Sequence, residues 1–233
     1  MLMDAELSRG AVIAHHLPWK PDTESTPKRA KPGSWEFFTA AEAAVVAAFA
    51  DRIIPPDPQT PGGKEAGCAV FIDRQLAGPY GRYAGLYEKG PFHPGAKQQG
   101  PQSAQTPAQL YRQALAALAK HCHAHPEQCG GGKPLASLDP QQQDAILTGL
   151  EDGSLELEGV ESKTFFEQLL QDVQQGFFAD PIYGGNRDMC AWKMIGFPGA
   201  RYDYRDWVSR HNERYPHPPV SIGGSIDWTP RRR

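Results

Sequence analysis

The stretch SKTFFEQLLQDVQQGF, residues 162–177, shows the clearest secondary-structure pattern in the chain. Its apolar side chains recur three and four positions apart, which places them on one face of an α-helix. They are Phe165, Phe166, Leu169, Leu170, Val173 and Phe177. Ser162 is predicted to cap this helix, because its hydroxyl can accept a hydrogen bond from a free backbone N–H of the first turn. The stretch therefore predicts an amphipathic helix with a broad apolar face.

Four other helices are predicted before this one. The first follows Thr39 and Glu42, which match a capping box, and it ends at Pro55-Pro56 because proline cannot continue a helix. The other three cover residues 69–77, the stretch from Thr106-Pro107 to about His123, and the stretch from Asp139-Pro140 to Gly153. No segment alternates apolar and polar residues as strands do. The sequence predicts a mainly α fold, an irregular bundle of about five helices with long loops rich in Gly, Pro and aromatic residues.

Length and composition fit one folded domain with irregular ends. The chain has 233 residues, of which 39% are hydrophobic and 22% are charged, values near those of soluble globular proteins. We expect residues 1–34 to form a disordered N-terminal arm, residues 35–210 a single helical domain, and residues 211–233 an irregular C-terminal tail. The net charge of −3 implies no broad basic field for nucleic acid. No apolar run approaches the ~18 residues of a membrane span, so no direct span is expected.

The N-terminal sequence shows no evident export signal. Its apolar run, residues 11–14, is shorter than the ~7–15 apolar residues in the core of a secretory signal. Lys28-Arg29 is not a twin arginine followed by an apolar stretch. The sequence by itself therefore indicates no route of export.

The segment DPIYGGNRDMCAWKMIGFPGARYDYRDW, residues 180–207, differs from the helical stretches in composition. Its aromatic side chains stand between glycines and charged residues, and a short helix from about Asn186 to Ile195 is predicted inside it. Two interpretations stay open. The segment either packs as an aromatic cap over the helices, or it forms a recognition surface, because Trp, Tyr and Arg dominate the energetics of protein–protein interfaces.

This segment resembles the gluconate 2-dehydrogenase subunit 3 family. The resemblance rests on FFADPIYGGNRDM at 177–189, WKMIGFPGA at 192–200 and YDYRDW at 202–207. Earlier matches are Phe38-Thr39 with Glu42, and residues 51–55, 71–73 and 100–111. The long and compositionally unusual string at 180–207 makes the resemblance specific.

The resemblance implies a non-catalytic accessory subunit of a membrane-associated, FAD-dependent gluconate or sugar dehydrogenase. The implied partner is a large flavoprotein of the glucose-methanol-choline type, which carries FAD and the sugar site, and a multihaem cytochrome c with haem c often takes the electrons. Family members typically carry a twin-arginine signal and help the partner to mature and reach the periplasm, where the complex meets the membrane. This sequence departs from that pattern, because no signal is evident. The expected partner-interface residues are Tyr183, Asn186, Arg187, Trp192, Tyr202, Tyr204 and Trp207.

The sequence carries no recognisable redox or catalytic motif of its own. It lacks the Cys-x-x-Cys-His of covalent haem, a Cys-x-x-Cys pair and a Gly-x-Gly-x-x-Gly after a strand. We therefore expect no catalytic, cofactor-binding or metal-binding residue in this chain. A dedicated chaperone that leaves the mature enzyme is a second form of the same non-catalytic role.

The cluster HCHAHPEQC, residues 121–129, leaves three interpretations open. It can be an exposed histidine cluster with free thiols, or Cys122 and Cys129 can form a disulfide, as expected in an oxidising compartment. His121, His125 and Cys129 can instead supply nitrogen and sulfur ligands to zinc. The zinc interpretation supports an alternative function, a stand-alone helical metal-binding protein.

The two remaining cysteines are expected to have different surroundings. Cys68 is predicted to be a small core residue at the start of the second helix. Cys190 lies inside the segment 180–207 and is either a buried free thiol or one half of an intersubunit disulfide.

Overall fold

The computed structural model of the protein describes residues 29–30, 33–84, 90–93, 95–96, 104–201 and 204–223. Within these ranges it contains six α-helices and no β-strand. The helices are α1 (Ala40–Ile53), α2 (Cys68–Ala77), α3 (Pro107–Ala124), α4 (Pro140–Asp152), α5 (Ser162–Phe178) and α6 (Cys190–Ile195). The predicted mainly α bundle is confirmed, and α6 is the short helix expected in the segment 180–207. Most of the predicted N-terminal arm lies outside the described residues.

Helix α5 lies at the centre of the bundle and contacts α1, α2, α3, α4 and α6. The inner row of its apolar stripe is fully buried, and it consists of Phe165, Leu169, Val173 and Phe177. Burying each such side chain contributes about 1.5–3 kcal/mol relative to leaving it exposed. Phe166 and Leu170 lie at the edge of the stripe and are half-buried. The helical period of the sequence thus identified the central helix and most of its buried face.

Three helices begin with the same capping box. The side chain of the residue just before the helix accepts a hydrogen bond from the backbone N–H of the third helical residue. The side chain of that third residue in turn accepts one from the backbone N–H of the capping residue. The pairs are Thr39 with Glu42, Thr106 with Gln109, and Asp139 with Gln142. The cap predicted for α5 needs correction. Ser162 is its first helical residue, and the hydroxyl donates to the carbonyl of Leu155 instead. The serine therefore fixes the preceding loop rather than the helix start.

The buried carboxylate of Asp73, on α2, holds the segment that leads into α1. It accepts hydrogen bonds from the backbone N–H groups of Glu36, Phe37 and Phe38 at 2.8–3.0 Å. The guanidinium of Arg74 also contacts it. Because a buried charge is tolerated only when it is paired and hydrogen-bonded, these four partners explain how Asp73 can be fully buried.

A second buried carboxylate, Asp172 of α5, accepts hydrogen bonds from three uncharged donors. The hydroxyls of Tyr80 and Tyr111 each donate to it at 2.9 Å, and the amide of Gln168 donates at 3.1 Å. Burial raises the pKa of Asp172 to about 6, although these three hydrogen bonds act in the opposite direction. The network ties α3 and the turn after α2 to the centre of the bundle.

The described part of the predicted C-terminal tail, residues 211–223, contains no helix but returns to the bundle. Asp180, just after α5, accepts hydrogen bonds from the Ser221 hydroxyl at 2.6 Å and the Ile222 N–H at 2.7 Å. Val220 is buried and pairs with Gly199 through an isolated bridge. The residues near 220 are therefore part of the folded body.

Candidate partner-binding surface

The turn between α5 and α6 has an unusual backbone. Three residues other than glycine adopt left-handed conformations there, Asn186 at φ 43°, Asp188 at φ 56° and Met189 at φ 56°. Asn and Asp tolerate this region better than other residues, whereas a methionine is strained in it. Such conformations persist only where the surroundings impose them, at a cost of order 1–3 kcal/mol each. The contacts around this turn must therefore be strong.

Asn186 supplies most of that support. Its side chain is 0% exposed and lies between two main-chain segments. The amide nitrogen donates to the carbonyl of Ala179 at 2.9 Å, and the amide oxygen accepts from the N–H of Ala191 at 2.9 Å. The N–H of Arg187 donates to the carbonyl of Ala66 at 3.0 Å. One buried amide thus joins the end of α5 to the start of α6, and its neighbour joins the turn to the residues before α2.

Trp192 fixes α6 to the end of α5. Its indole N–H donates to the carbonyl of Phe178 at 2.9 Å, and its ring is buried. The ring of Phe197 packs edge-on against it, with the centroids 5.2 Å apart. The indole therefore acts as the rigid support of the residues that follow it.

Three large apolar side chains stand on this support and point into solvent. Met194 is 50% exposed, Ile195 is 58% exposed and Phe197 is 44% exposed. We call these three residues the α6 apolar face. Single exposed apolar residues are ordinary, but a group of them on a rigid element is typical of an interaction site. The face can bind an apolar surface of another molecule with little loss of conformational freedom.

Sequence reasoning missed the α6 apolar face, although a signal was present. The run Trp192-Lys193-Met194-Ile195 leads into Gly196 and Phe197, so apolar residues point in several directions from a helix of six residues. A helix of less than two turns buries only one side. Because Trp192 occupies the buried side, the later apolar residues must face outward.

The expected interface residues have different positions in the structure. Asn186 and Trp192 are buried, and their hydrogen bonds stay within the chain. Tyr183 is half-buried, and Arg187 is exposed. A direct contact of these residues with a partner stays a prediction. The structure gives Asn186 and Trp192 a supporting position beneath the surface.

The remaining expected interface residues lie in the segment after α6. Tyr204 and Trp207 are half-buried and pack against the ring of Tyr215, at centroid distances of 5.9 and 5.2 Å. Tyr202 lies outside the described residues. The structure therefore divides the predicted set into a group around α6 and a separate aromatic cluster.

The cluster 121–129 contains a disulfide between Cys122 and Cys129, with their Cα atoms 5.1 Å apart. Of the three interpretations of this cluster, the structure confirms the disulfide. Both thiols are used in the bond, so the zinc set loses its sulfur ligand. The rings of His121 and His125 lie 4.8 Å apart at the end of α3. Within the part of the chain that the structure describes, no three His, Cys, Asp or Glu side chains form a group that could hold a metal ion.

The two other cysteines are free thiols. Cys68 is buried as predicted, and burial raises the pKa of its thiol to about 12. Cys190 is half-buried, and burial also raises the pKa of its thiol. The thiolate is the reactive form of cysteine, so both residues are poorly reactive at neutral pH. An intersubunit disulfide through Cys190 stays a prediction.

A small helical body with a rigidly supported apolar face has the form expected of a protein that binds a partner. The model of the family described as gluconate 2-dehydrogenase subunit 3 matches residues 40–199, and the chain belongs to this family. Family membership associates it with a dehydrogenase complex as an accessory subunit. Comparisons with curated proteins and with solved structures found no match. Among the described residues, no helix is long and apolar enough to cross a membrane.

Proposed function

We propose that this chain is the non-catalytic small subunit of a membrane-associated, FAD-dependent gluconate or sugar dehydrogenase. Its partner is a large flavoprotein subunit of the glucose-methanol-choline type, which holds FAD and the substrate site. A multihaem cytochrome c is a further partner in complexes that pass electrons to haem. The complex works in the periplasm, where this chain stabilises the flavoprotein after aiding its maturation or export.

The observation that carries this proposal is the α6 apolar face inside the family-matched residues 40–199. The face consists of Met194, Ile195 and Phe197, and it is supported by a turn that the chain holds in a strained conformation. Strain that is maintained by a dedicated hydrogen-bond network is typical of functional sites. A recognition surface that must keep its shape before the partner arrives accounts for both features.

Burial of this face on the flavoprotein supplies a driving force for assembly. Removing apolar surface from water contributes about 25 cal/mol per Å², and a central anchor residue in an interface commonly contributes about 2 kcal/mol or more. A subunit that binds only the folded partner shifts its folding equilibrium by mass action. A chain without catalytic groups of its own can raise the amount of active enzyme in this way.

Mild affinity purification of the full chain from its native cells tests the proposal, with size exclusion and absorbance read at flavin and haem wavelengths. We expect coelution with a larger flavin-containing chain at one-to-one stoichiometry. Dissociation from the mature flavoprotein would favour the dedicated chaperone. Elution alone and colourless, with the flavoprotein present in the same cells, would contradict the role of a permanent subunit and favour the chaperone or an independent binding protein.

A matched pair of variants tests the surface itself. The double variant Ile195→Ser/Phe197→Ser is expected to weaken retention of the flavoprotein at least about tenfold, equivalent to about 1.4 kcal/mol. Val208→Ser is the control, because Val208 is 72% exposed and lies outside the family-matched residues. Equal retention by the two variants would remove the α6 apolar face from the interface.

A further inference from the structure

A groove lies beside Phe178, at the end of α5. Its apolar walls are Phe71 of α2, Phe178 at the end of α5, and the following residues Ala179 and Tyr183. The polar residues Gln75, Gln175 and Asp180 also line it, and its volume is about 510 Å³. Phe178 is 42% exposed there, so its ring forms an accessible apolar wall. The groove has the size and lining to accept one large apolar side chain and its neighbours.

The chain itself approaches this groove from its N-terminal side. The N–H of Ala30 donates to the carbonyl of Ile182 at 2.8 Å, so Ala30 lies next to the residue that forms one wall, Tyr183. The contact is close, since a side chain at Gly184 would stand 3.2 Å from the β-carbon of Ala30. Ala30 therefore lies at the rim of the groove.

The preceding sequence contains a suitable occupant within reach. Leu17-Pro18-Trp19 is separated from Ala30 by the ten residues 20–29, which are mostly polar, charged or proline. Ten residues span at most about 33–36 Å. An attached segment on so short a tether has an effective concentration on the order of mM. Even weak intrinsic affinity is then enough for occupancy.

The chemistry of Trp19 also matches the groove. An indole offers a large apolar ring and one N–H donor, and it usually finds an acceptor when it is buried. Phe71 and Phe178 offer aromatic surfaces for the ring. The side-chain carbonyls of Gln75 and Gln175 are neutral acceptors at the same walls. Leu17 supplies a second apolar side chain, and Pro18 lowers the entropy that a bound segment loses.

We propose that residues 17–19 of this chain occupy the groove, with the indole of Trp19 packed against Phe71 and Phe178. The docked segment covers the exposed ring of Phe178 and leaves Met194, Ile195 and Phe197 open. The N-terminal side of the chain then has a fixed position beside α5, next to the surface assigned to the partner. This docking is intramolecular and does not depend on the proposed dehydrogenase subunit role.

Photo-cross-linking in the full, isolated chain tests the docking. Trp19 is replaced by benzoylphenylalanine, which keeps an aromatic side chain, and cross-linked peptides are mapped by mass spectrometry. We expect intramolecular links to residues 71–75 or 175–183, in a yield that does not change with protein concentration. The matched control carries the same label at Ser25, in the polar spacer, and is expected to give at least fivefold fewer links to these residues.

Four results would overturn the docking. Links that join two copies and increase with protein concentration would assign the groove to a second copy. An absence of links to the groove, or equal yields from positions 19 and 25, would show that Trp19 does not occupy it. Phe178→Ser, checked for native near-ultraviolet circular dichroism, must lower the yield at least about threefold, and an unchanged yield would also overturn it. The cross-linking experiment contains no flavoprotein, so its result does not depend on the result of the copurification experiment.

Discussion

The helical bundle around α5 and the turn that connects α5 to α6 are held together by different kinds of contact. The bundle is held together by many buried apolar side chains. Phe165 and Leu169, for example, share one face of α5. The turn rests on a few polar groups, above all the Asn186 amide, which bonds the main chain on both sides. The bundle and the candidate surface are thus held by different residues, and we expect that each can be changed with limited effect on the other.

The largest expected loss comes from the bundle. Phe165→Ala removes a side chain that is fully buried and packed edge-on against Tyr111, at a centroid distance of 5.5 Å. We expect the free energy of unfolding to fall by about 3–5 kcal/mol, measured by urea denaturation. Phe166→Ala is the control, because Phe166 is half-buried. Equal losses in the two variants would show that the inner row of α5 is not the centre of the core.

The turn is expected to respond locally. Asn186→Ala removes two buried hydrogen bonds and places alanine at φ 43°, at a cost of about 2–3 kcal/mol. Hydrogen exchange should show that the Ala191 amide loses protection while α5 stays protected. Retention of the flavoprotein should fall in the same variant. Asn186→Gly separates the two causes, since glycine accepts a positive φ. The glycine variant should be less destabilised, and an equal loss would assign the effect to the hydrogen bonds alone.

The third expected effect depends on pH and concerns Asp172 in the bundle. Its pKa is raised in the folded protein from 3.8 to about 6. The stability it contributes is therefore fully present below 3.8 and is lost as the pH rises through about 6. Asp172→Asn does not ionise; its amide oxygen can accept from one of the two tyrosine hydroxyls, and its NH₂ group can donate to the other. Relative to this variant, the wild type should lose up to about 3 kcal/mol between acidic and neutral pH.

Denaturation of both proteins at a series of pH values measures that difference. Comparing the two proteins cancels the titration of all other groups. A difference that does not change with pH would show that the Asp172 side chain is solvated. It would contradict the view that this carboxylate lies in the buried core of the bundle.

The sequence predicted the bundle well because periodicity and caps are local. Thr39, Thr106 and Asp139 start their helices where the caps placed them, and the apolar period of α5 identified its inner row. The exception is Ser162, whose hydroxyl bonds the loop before it. A long-range loop contact replaced the local one there, and single-sequence patterns do not contain such contacts.

The candidate site was predicted in position but not in detail. The segment 180–207 was identified by composition, yet Asn186 and Trp192 proved to lie beneath the surface and Met194, Ile195 and Phe197 on it. Which of these residues are exposed depends on which side of the six-residue helix α6 faces α5. The carbonyl of Phe178, as acceptor for the indole, determines that choice. A main-chain acceptor fourteen residues away leaves no periodic signal in a sequence.

The disulfide at the end of α3 makes the number of free thiols in each molecule depend on the compartment that the molecule occupies. Cys122 and Cys129 are bridged in the structure, whereas the buried Cys68 and half-buried Cys190 are not. Because cytosolic thiols are kept reduced and exported ones are oxidised, a denatured molecule should present four thiols if it stays in the cytosol and two if it is exported. Alkylation with a mass label in whole cells would therefore test export without any fractionation.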